Sequence, residues 1–266
     1  MHSENHAPSA ARLQEFLCAG LAARAPALPC GPFAIHPDRH ERKTPFLNYA
    51  IPTGRAPAAA FAAGLPALIE AFRARDLMPR FKYVEAAAPA LAAVLDAAGF
   101  TREPETFSMT CELSDLVVLE LANEVVHLEP DAPDSDVLAT IRMRKLAFEA
   151  DDSPATEAEI AGFRAAHPAW NHAALRIEGA IVATGSVSAV HAGWAEVAGI
   201  ATDPAQRRRG YAGAVTAALA QRAFAAGART VFLTAGDRPA ASVYERAGFV
   251  LSPLVVAAYR LPHHAA

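Results

Sequence analysis

The sequence has little cysteine and tryptophan, no long apolar run and no strong excess of either charge. Its 266 residues include three cysteines and two tryptophans, and the formal net charge is -4. Cys18, Cys30 and Cys111 lie far apart without metal-ligand spacing, which indicates free thiols in a reducing compartment and predicts no bound metal. Because the charge is nearly balanced and no long basic run exists, we expect neither nucleic acid nor an anionic membrane surface as a partner.

Signals for export or membrane insertion are also missing. The N-terminal stretch MHSENHAPSA is polar and has no apolar core of the kind that a secretory signal needs. Polar residues, arginines above all, interrupt the alanine-rich stretches before any reaches the length of a membrane span. We therefore expect a cytoplasmic protein. Its hydrophobic content of 53% is sufficient for one large domain or two modest domains with cores of their own.

The stretch EVAGIATDPAQRRRGYA (196–212) is the most informative part of the chain. Residues 197–201 form an apolar run typical of a strand buried on both faces, and Pro204 ends it because proline cannot donate to the ladder. A helix follows, opened by Gly210. The first N–H groups of a helix have no partner within it and lie at the positive end of its dipole. With the arginines at 207–209 they could hold a pyrophosphate, although a basic helix start on the surface has the same pattern.

A second segment makes this pattern more specific. After a β-rich run at 230–234 comes DRPAASVYERAGF (237–249). The two segments resemble the signature of the GNAT superfamily of N-acetyltransferases, which is P-x-x-[QR]-x-x-G-x-[GA] at a helix start and N-x-x-A-x-x-[LV]-Y-E-[KR]-x-G-F after the next strand. The resemblance covers about residues 124–262 and departs from the signature at Asp237, where asparagine is commoner.

The resemblance implies an α/β (α+β) fold in which a mixed, mostly antiparallel central sheet is flanked by helices. It also implies acetyl-CoA as the cosubstrate, attacked directly in a ternary complex by a primary amine of a small molecule or peptide. A non-catalytic acyl-CoA-binding sensor is the alternative, because it needs the same turn but no catalytic residue. A dinucleotide-dependent oxidoreductase is excluded, since no G-x-G-x-x-G follows a first strand.

Two residues are candidates for proton transfer. By the resemblance, Tyr244 is the general acid that protonates the leaving thiolate; the alternative is a core tyrosine whose hydroxyl bonds a backbone carbonyl. Glu196 lies beside an apolar strand, where the histone-acetylating branch of the superfamily has its general base; the alternative is an edge glutamate that faces solvent. Gly199 either permits a bulge and the close approach of a ligand, or packs under a helix.

In the family, the acyl-pantetheine arm enters a gap where the strand at 196–201 splays from the next strand. N–H groups of the same strand are candidate donors to the oxyanion. The predicted cofactor-binding residues are Val197, Ala198, Gly199, Ile200, Ala201, Arg207, Arg208, Arg209, Gly210, Tyr211, Ala212, Asp237 and Ala240. Asp237 also fits the N-cap of the helix that carries Tyr244.

The sequence says less about the site that binds the acceptor amine. The resemblance implies an acceptor region that contains Phe148, Glu149, Asp151, Asp152, Trp170 and Tyr259. A cluster of carboxylates there would favour a cationic acceptor, but a solvated acidic loop explains the same residues. Within that loop, Ser153 and Pro154 predict a helix start, with serine as the N-cap and proline at the first helical position.

The first half of the chain is interpreted as a degenerate tandem copy. LAAVLDAAGF (91–100) is similar to ASVYERAGF (241–249), and the order helix, strand, helix, strand recurs, although alanine-rich composition alone produces part of the likeness. This copy lacks the R-x-x-G-x-A turn and the tyrosine. We predict a degenerate GNAT-like domain at 1–120 and an acetyltransferase domain at 121–266. A homodimer is compatible with the sequence.

Overall fold

The computed structural model describes residues 9–24, 26–37, 48–118, 124–149 and 151–262. Its helices are α1 (Ala10–Arg24), α2 (Ala58–Arg73), α3 (Leu91–Ala97), α4 (Asp134–Glu149), α5 (Glu157–Ala165), α6 (Tyr211–Ala225) and α7 (Arg238–Glu245). Its strands are β1 (Leu28–Cys30), β2 (Phe33–His36), β3 (Tyr49–Pro52), β4 (Arg80–Val84), β5 (Thr101–Arg102), β6 (Phe107–Glu112), β7 (Val125–Leu128), β8 (Trp170–Ile177), β9 (Ala180–Ser188), β10 (Trp194–Thr202), β11 (Thr230–Ala235), β12 (Val250–Leu251) and β13 (Val256–Arg260).

The first compact unit consists of residues 1–106 and 252–266. Its strands follow the order β1-β2-β3-β4-β13-β5. β3 and β4 are parallel and joined by the crossover helix α2, whereas the other pairs are antiparallel. Phe33 of β2 packs on Phe61 of α2 and on Phe81 of β4, with ring centroids 5.6 and 5.1 Å apart. These aromatic contacts fix the crossover helix on the sheet.

The second compact unit consists of residues 107–251 and has the sheet order β12-β6-β11-β10-β9-β8-β7. β10 and β11 are parallel and joined by α6, and the other pairs are antiparallel, so the sheet is mixed and mostly antiparallel, as expected. Val215 and Leu219 of α6 belong to its apolar core. Gly185 of β9 is required there, because a Cβ at this position would lie 2.4 Å from Cδ1 of Ile200.

Relative to the predicted domains, one strand from each side of the boundary lies in the other sheet, which the sequence did not indicate. β6 precedes the predicted boundary at residue 120 but lies in the second sheet, and β13 follows that boundary but lies in the first sheet. The observed division at residues 106 and 252 therefore differs from the predicted one, whose boundary residue lies outside the described residues. A strand's side-chain pattern specifies which of its faces is buried, but not which edge it joins.

The sheets support the interpretation of two copies. The order β2-β3-β4-β13-β5 of the first sheet corresponds to β9-β10-β11-β6-β12 of the second. In both, the two parallel strands are connected by a helix, and the next helix is followed by glycine in the left-handed region, Gly99 (φ 82°) and Gly248 (φ 91°).

One predicted helix start was wrong. α5 begins at Glu157 rather than near Pro154, because Thr156 and Glu159 form a capping box in which the Thr156 hydroxyl accepts from the Glu159 N–H. Ser153 instead hydrogen-bonds Asp151 and Lys145. Within the part of the chain that the structure describes, no helix combines the length and the apolar character needed to cross a bilayer.

Candidate functional site

The parallel strands of the second unit part from each other beyond Glu196. Their register runs from the pair Trp194–Thr230 to the pair Glu196–Phe232. β10 continues to residue 202 and β11 to residue 235, yet the described residues form no further pair between them. The backbone groups of β10 and β11 that face this gap form no pair across it. Because buried backbone groups require partners, these edges are open to a ligand. The predicted splay thus lies along residues 197–201.

A β-bulge shapes the β10 side of the gap. The register with β9 shifts between Ala198 and Ala201, and Gly199 has a φ of 65°. A Cβ at position 199 would lie 3.3 Å from a guanidinium nitrogen of Arg144, which projects from α4. Gly199 therefore lies in a bulge, as one interpretation of the sequence expected, and beneath a side chain of α4. Arg144 was not among the predicted site residues, because its role depends on this approach of α4 to β10.

The turn after β10 leads directly into the uncapped end of α6. Arg208 and Gly210 both lie in the left-handed region, with φ of 64° and 83°. Gly210 is the N-cap and provides no side-chain hydrogen bond, and the first turn of α6 contains no acidic residue. Arg207, Arg209 and their neighbours in this turn are exposed. Consecutive N–H groups in such a turn form a concave anion site, and the helix dipole adds to its positive potential.

The second strand of the gap leads to the helix that carries Tyr244. The Asp237 carboxylate accepts a hydrogen bond from the Ala240 N–H at 2.7 Å, so the predicted N-cap is confirmed. Because β10 and β11 are parallel, the turn at 203–210 and residues 236–240 follow the same edge of the sheet. The predicted residues on both segments are thus brought to one edge.

Tyr244 is half-buried at the edge of the apolar core. Its ring makes an edge contact with Phe249, with centroids 6.4 Å apart. Burial, supported by the negative charge of Asp237, raises the pKa of Tyr244 to about 12. The phenol therefore carries its proton at neutral pH, as a general acid must.

Glu196 is an interior residue of the sheet, not an edge residue. β10 lies between β9 and β11, and Glu196 is half-buried. Its backbone N–H donates to Ser188 Oγ of β9 at 2.9 Å. Its neighbours Ala195 and Val197 belong to the apolar core under α6, so the alternation of the strand turns Glu196 to the opposite face, against which α4 packs.

His172 lies on the same face of the sheet and is almost fully buried, at 4% exposure. Its ring stacks on Phe163 of α5 with centroids 4.0 Å apart, and both ring nitrogens lack a hydrogen-bond partner among the described residues. Burial, together with the positive charge of Arg144, lowers the pKa of His172 to about 3. The sequence did not decide between a structural and a functional role for this histidine, because its alternating strand pattern fits both.

The acidic residues at 151–159, for which a cationic acceptor site and a solvated loop were the alternatives, form ion pairs with cations of α4. Arg142 pairs with Asp152 at 2.6 Å, and the ammonium of the buried Lys145 lies 3.1 Å from Asp151 and 3.4 Å from Glu159. These ion pairs connect the segment between α4 and α5 to α4, and the side chains of Asp151 and Asp152 remain exposed to solvent. Tyr259, which the resemblance also assigned to the acceptor region, lies in β13 of the first sheet.

No cluster of three or more histidine, cysteine, aspartate or glutamate side chains that could hold a metal ion occurs among the residues that the structure describes. The groups on the segments around the gap are backbone N–H and C=O groups, arginines, the carboxylates of Glu196 and Asp237 and the phenol of Tyr244. This set suits an anionic, amide-containing ligand.

Comparisons with known proteins agree with this arrangement. Residues 137–249 match the sequence model of the acetyltransferase (GNAT) family. The chain is similar to a GCN5-related N-acetyltransferase from Kribbella flavida, with 28% identity, 96% of each chain covered and a TM-score of 0.77. Most of the second unit thus matches the GNAT acetyltransferase family.

Two more distant structures show the fold alone. A tandem GNAT protein from the clavulanic acid biosynthesis pathway is 16% identical, with a TM-score of 0.58 and coverage of 87% of this chain and 80% of that chain. A GCN5-related N-acetyltransferase from Sphaerobacter thermophilus is 15% identical, with a TM-score of 0.57 and coverage of 86% and 75%. No curated protein matches the sequence.

Proposed function

We propose that the second unit transfers the acetyl group of acetyl-CoA to a primary amine of a small molecule or peptide. The observation that carries this proposal is the parting of β10 and β11 beyond the pair Glu196–Phe232, directly followed by the uncapped start of α6. The gap offers backbone groups to the amides of the pantetheine arm, and the helix start offers N–H groups to the pyrophosphate.

Binding would use two kinds of contact. The N–H groups of the turn at 207–212 hold the phosphates, and Arg207, Arg208 and Arg209 add positive charge. The open edge of β10 at 197–201 pairs with the arm, and an N–H of this edge near the bulge donates to the oxyanion that forms on the acetyl carbonyl.

The reaction would proceed by direct attack. The acceptor amine loses a proton to Glu196, either directly or through a water, and its nitrogen forms a bond with the thioester carbon. When the tetrahedral intermediate collapses, the carbon–sulfur bond breaks and the sulfur takes the proton of the Tyr244 hydroxyl. The surplus proton of the new amide nitrogen passes through water to the Tyr244 phenolate, and Glu196 releases its proton to solvent. Since Glu196 faces α4, the amine approaches from the face of the sheet that α4 covers.

The test is the release of CoA thiol from acetyl-CoA by the full chain, with and without a pool of small amines, amino acids and peptides. Thiol release that depends on the pool is the expected result, and fractionation of the pool then identifies the acceptor class. If the protein binds acetyl-CoA tightly but no pool fraction supports release, the acyl-CoA sensor replaces the enzyme as the function of this site.

A further inference from the structure

In the first unit, a side chain fills the space between the two parallel strands. Gln14 of α1 is only 7% exposed. Its Oε1 accepts a hydrogen bond from the Val84 N–H of β4 at 2.9 Å, and its Nε2 donates to the Pro52 carbonyl oxygen of β3 at 3.2 Å. One side-chain amide thus satisfies a backbone donor of one strand and a backbone acceptor of the other.

These contacts lie beyond the point where β3 and β4 pair. The register between the two strands contains the pair Ala50–Phe81, and Pro52 and Val84 follow it toward the strand ends. The position of Gln14 is fixed by its helix, since Leu13 and Phe16 of α1 are each 1% exposed. The amide is therefore held in the gap by core packing as well as by its hydrogen bonds.

The same place in the second unit is the open gap. AFRARDLMPRF (71–81) aligns without a gap with AFAAGARTVFL (223–233), so Arg80 corresponds to Phe232. Phe232 pairs with Glu196, and the two strands part beyond this pair. Gln14 therefore occupies in one copy the space that stays open in the other.

We propose that Gln14 takes, in the first unit, the place of the acyl-pantetheine arm, so that this unit is closed and the chain binds one acetyl-CoA. The inference rests on the proposed function of the second unit. A glutamine amide has the same donor and acceptor groups as an amide of the arm. Displacing Gln14 would leave the Val84 N–H and the Pro52 carbonyl oxygen without the partner that they have in this unit, which opposes entry of an arm that does not replace both bonds.

The phosphate end of the first unit also differs from that of the second. α2 begins after Pro57, which occupies the N-cap position that Gly210 has in α6. The connection at 53–57 is shorter than that at 203–210 and contains Arg55, whose guanidinium donates to the Ala86 carbonyl oxygen at 3.2 Å. A pyrophosphate would therefore find neither the glycine turn nor the arginine cluster there.

The first test is calorimetric titration of the full chain with acetyl-CoA. We expect one site per chain in the wild type and no measurable site in Gly210→Glu, with the fold of the variant checked by circular dichroism. Two sites in the wild type would overturn the inference but leave the second unit's function intact. A single site that survives in Gly210→Glu would place binding away from this turn and would overturn both the inference and the proposed function. No binding at all would overturn the proposed function itself and the inference with it.

The second test asks whether Gln14 is the group that closes the gap. Gln14→Leu keeps the volume of the side chain but removes both hydrogen bonds, so hydrogen exchange of the Val84 amide should accelerate at least tenfold. Gln221→Leu, at an exposed position of α6, is the matched control and should leave that exchange unchanged. Equal exchange rates in the wild type and Gln14→Leu would show that the gap is closed by something else.

Discussion

The two units have corresponding strand orders, but the gap between the parallel strands is bridged by a side chain in the first unit and open in the second. Gln14 bridges the first gap, and the second is open. The helix caps differ too, with Pro57 in one copy and Gly210 in the other. Counting from the glycine that follows each last helix, Leu95 stands where Tyr244 does. Each difference is local, so the sheet and core persist in the first unit while the groups for acetyl transfer are lost.

The comparison also shows that the second unit is one contiguous piece of chain, residues 107–251, whereas the first unit combines residues 1–106 with 252–266. Each sheet contains, next to its crossover strand, a strand from the other half of the sequence: β13 beside β4 and β6 beside β11. The second sheet is therefore complete within 107–251, and the first sheet needs β13 from the end of the chain.

The largest effect is expected from cutting the chain at the predicted boundary. A fragment 121–266 lacks β6, so β11 loses its antiparallel partner from Thr230 to Ala235. We expect this fragment to be unfolded or aggregated, because an exposed apolar edge pairs with other chains. The fragment 107–251, which keeps every strand of the second sheet, is the control. Circular dichroism and size-exclusion chromatography would compare them, and a cooperative, monomeric 121–266 would contradict the role assigned to β6.

The next effect tests the difference between Tyr244 and Leu95. Tyr244→Phe should lower kcat by about 10²-fold or more, since the thiolate then leaves without its proton donor, while the affinity for acetyl-CoA stays within about twofold. Tyr83→Phe is the matched control in the first unit. Its hydroxyl is buried without a partner among the described residues, so its removal should leave kcat unchanged. Unchanged kcat in Tyr244→Phe would remove the acid from the mechanism.

A smaller effect is expected at the base. Glu196→Gln keeps the shape of the side chain but cannot accept the proton of the amine, so kcat/KM should fall by about 10²-fold at neutral pH. The loss should shrink as the pH rises and a larger fraction of the acceptor amine is already neutral. Glu178→Gln, in the exposed hairpin turn, is the control. A uniform loss at every pH would favour a structural role for Glu196.

The smallest effect concerns His172. Its pKa in the folded state is lowered from 6.5 to about 3. The neutral, buried His172 makes its full contribution to stability above the pKa that it has in the unfolded chain. This contribution is lost as the pH falls toward 3, because the unfolded chain takes up the proton first. Between pH 6.5 and 5 this amounts to about 2 kcal/mol. Urea unfolding should show this loss of stability at acid pH in the wild type but not in His172→Leu. If the free energy of unfolding fell equally with pH in both proteins, His172 would not be the cause of the loss.

The parts of the site that sequence reasoning found are those encoded by short-range patterns. The turn around Gly210 and the Asp237 cap depend on neighbours a few residues away, and helix-start chemistry follows from such spacing. The splay of β10 came from the resemblance to a family. The wrong helix start near Ser153 shows the limit of this reasoning, because Thr156 offers an equally good local cap and its reciprocal bond with Glu159 decides between them.

By itself, the sequence determined the identities and order of the local elements, the phosphate-type turn and the existence of two copies, because hydrogen bonds and apolar periodicity within a few residues encode them. Only the tertiary structure decided which sheet β6 and β13 join, that Arg142 and Lys145 form ion pairs with the acidic loop, and that Gln14 bridges the strands of one gap. In each case the partners lie in other elements, many of them far apart in sequence, and a strand edge, a carboxylate or an amide is locally compatible with several partners.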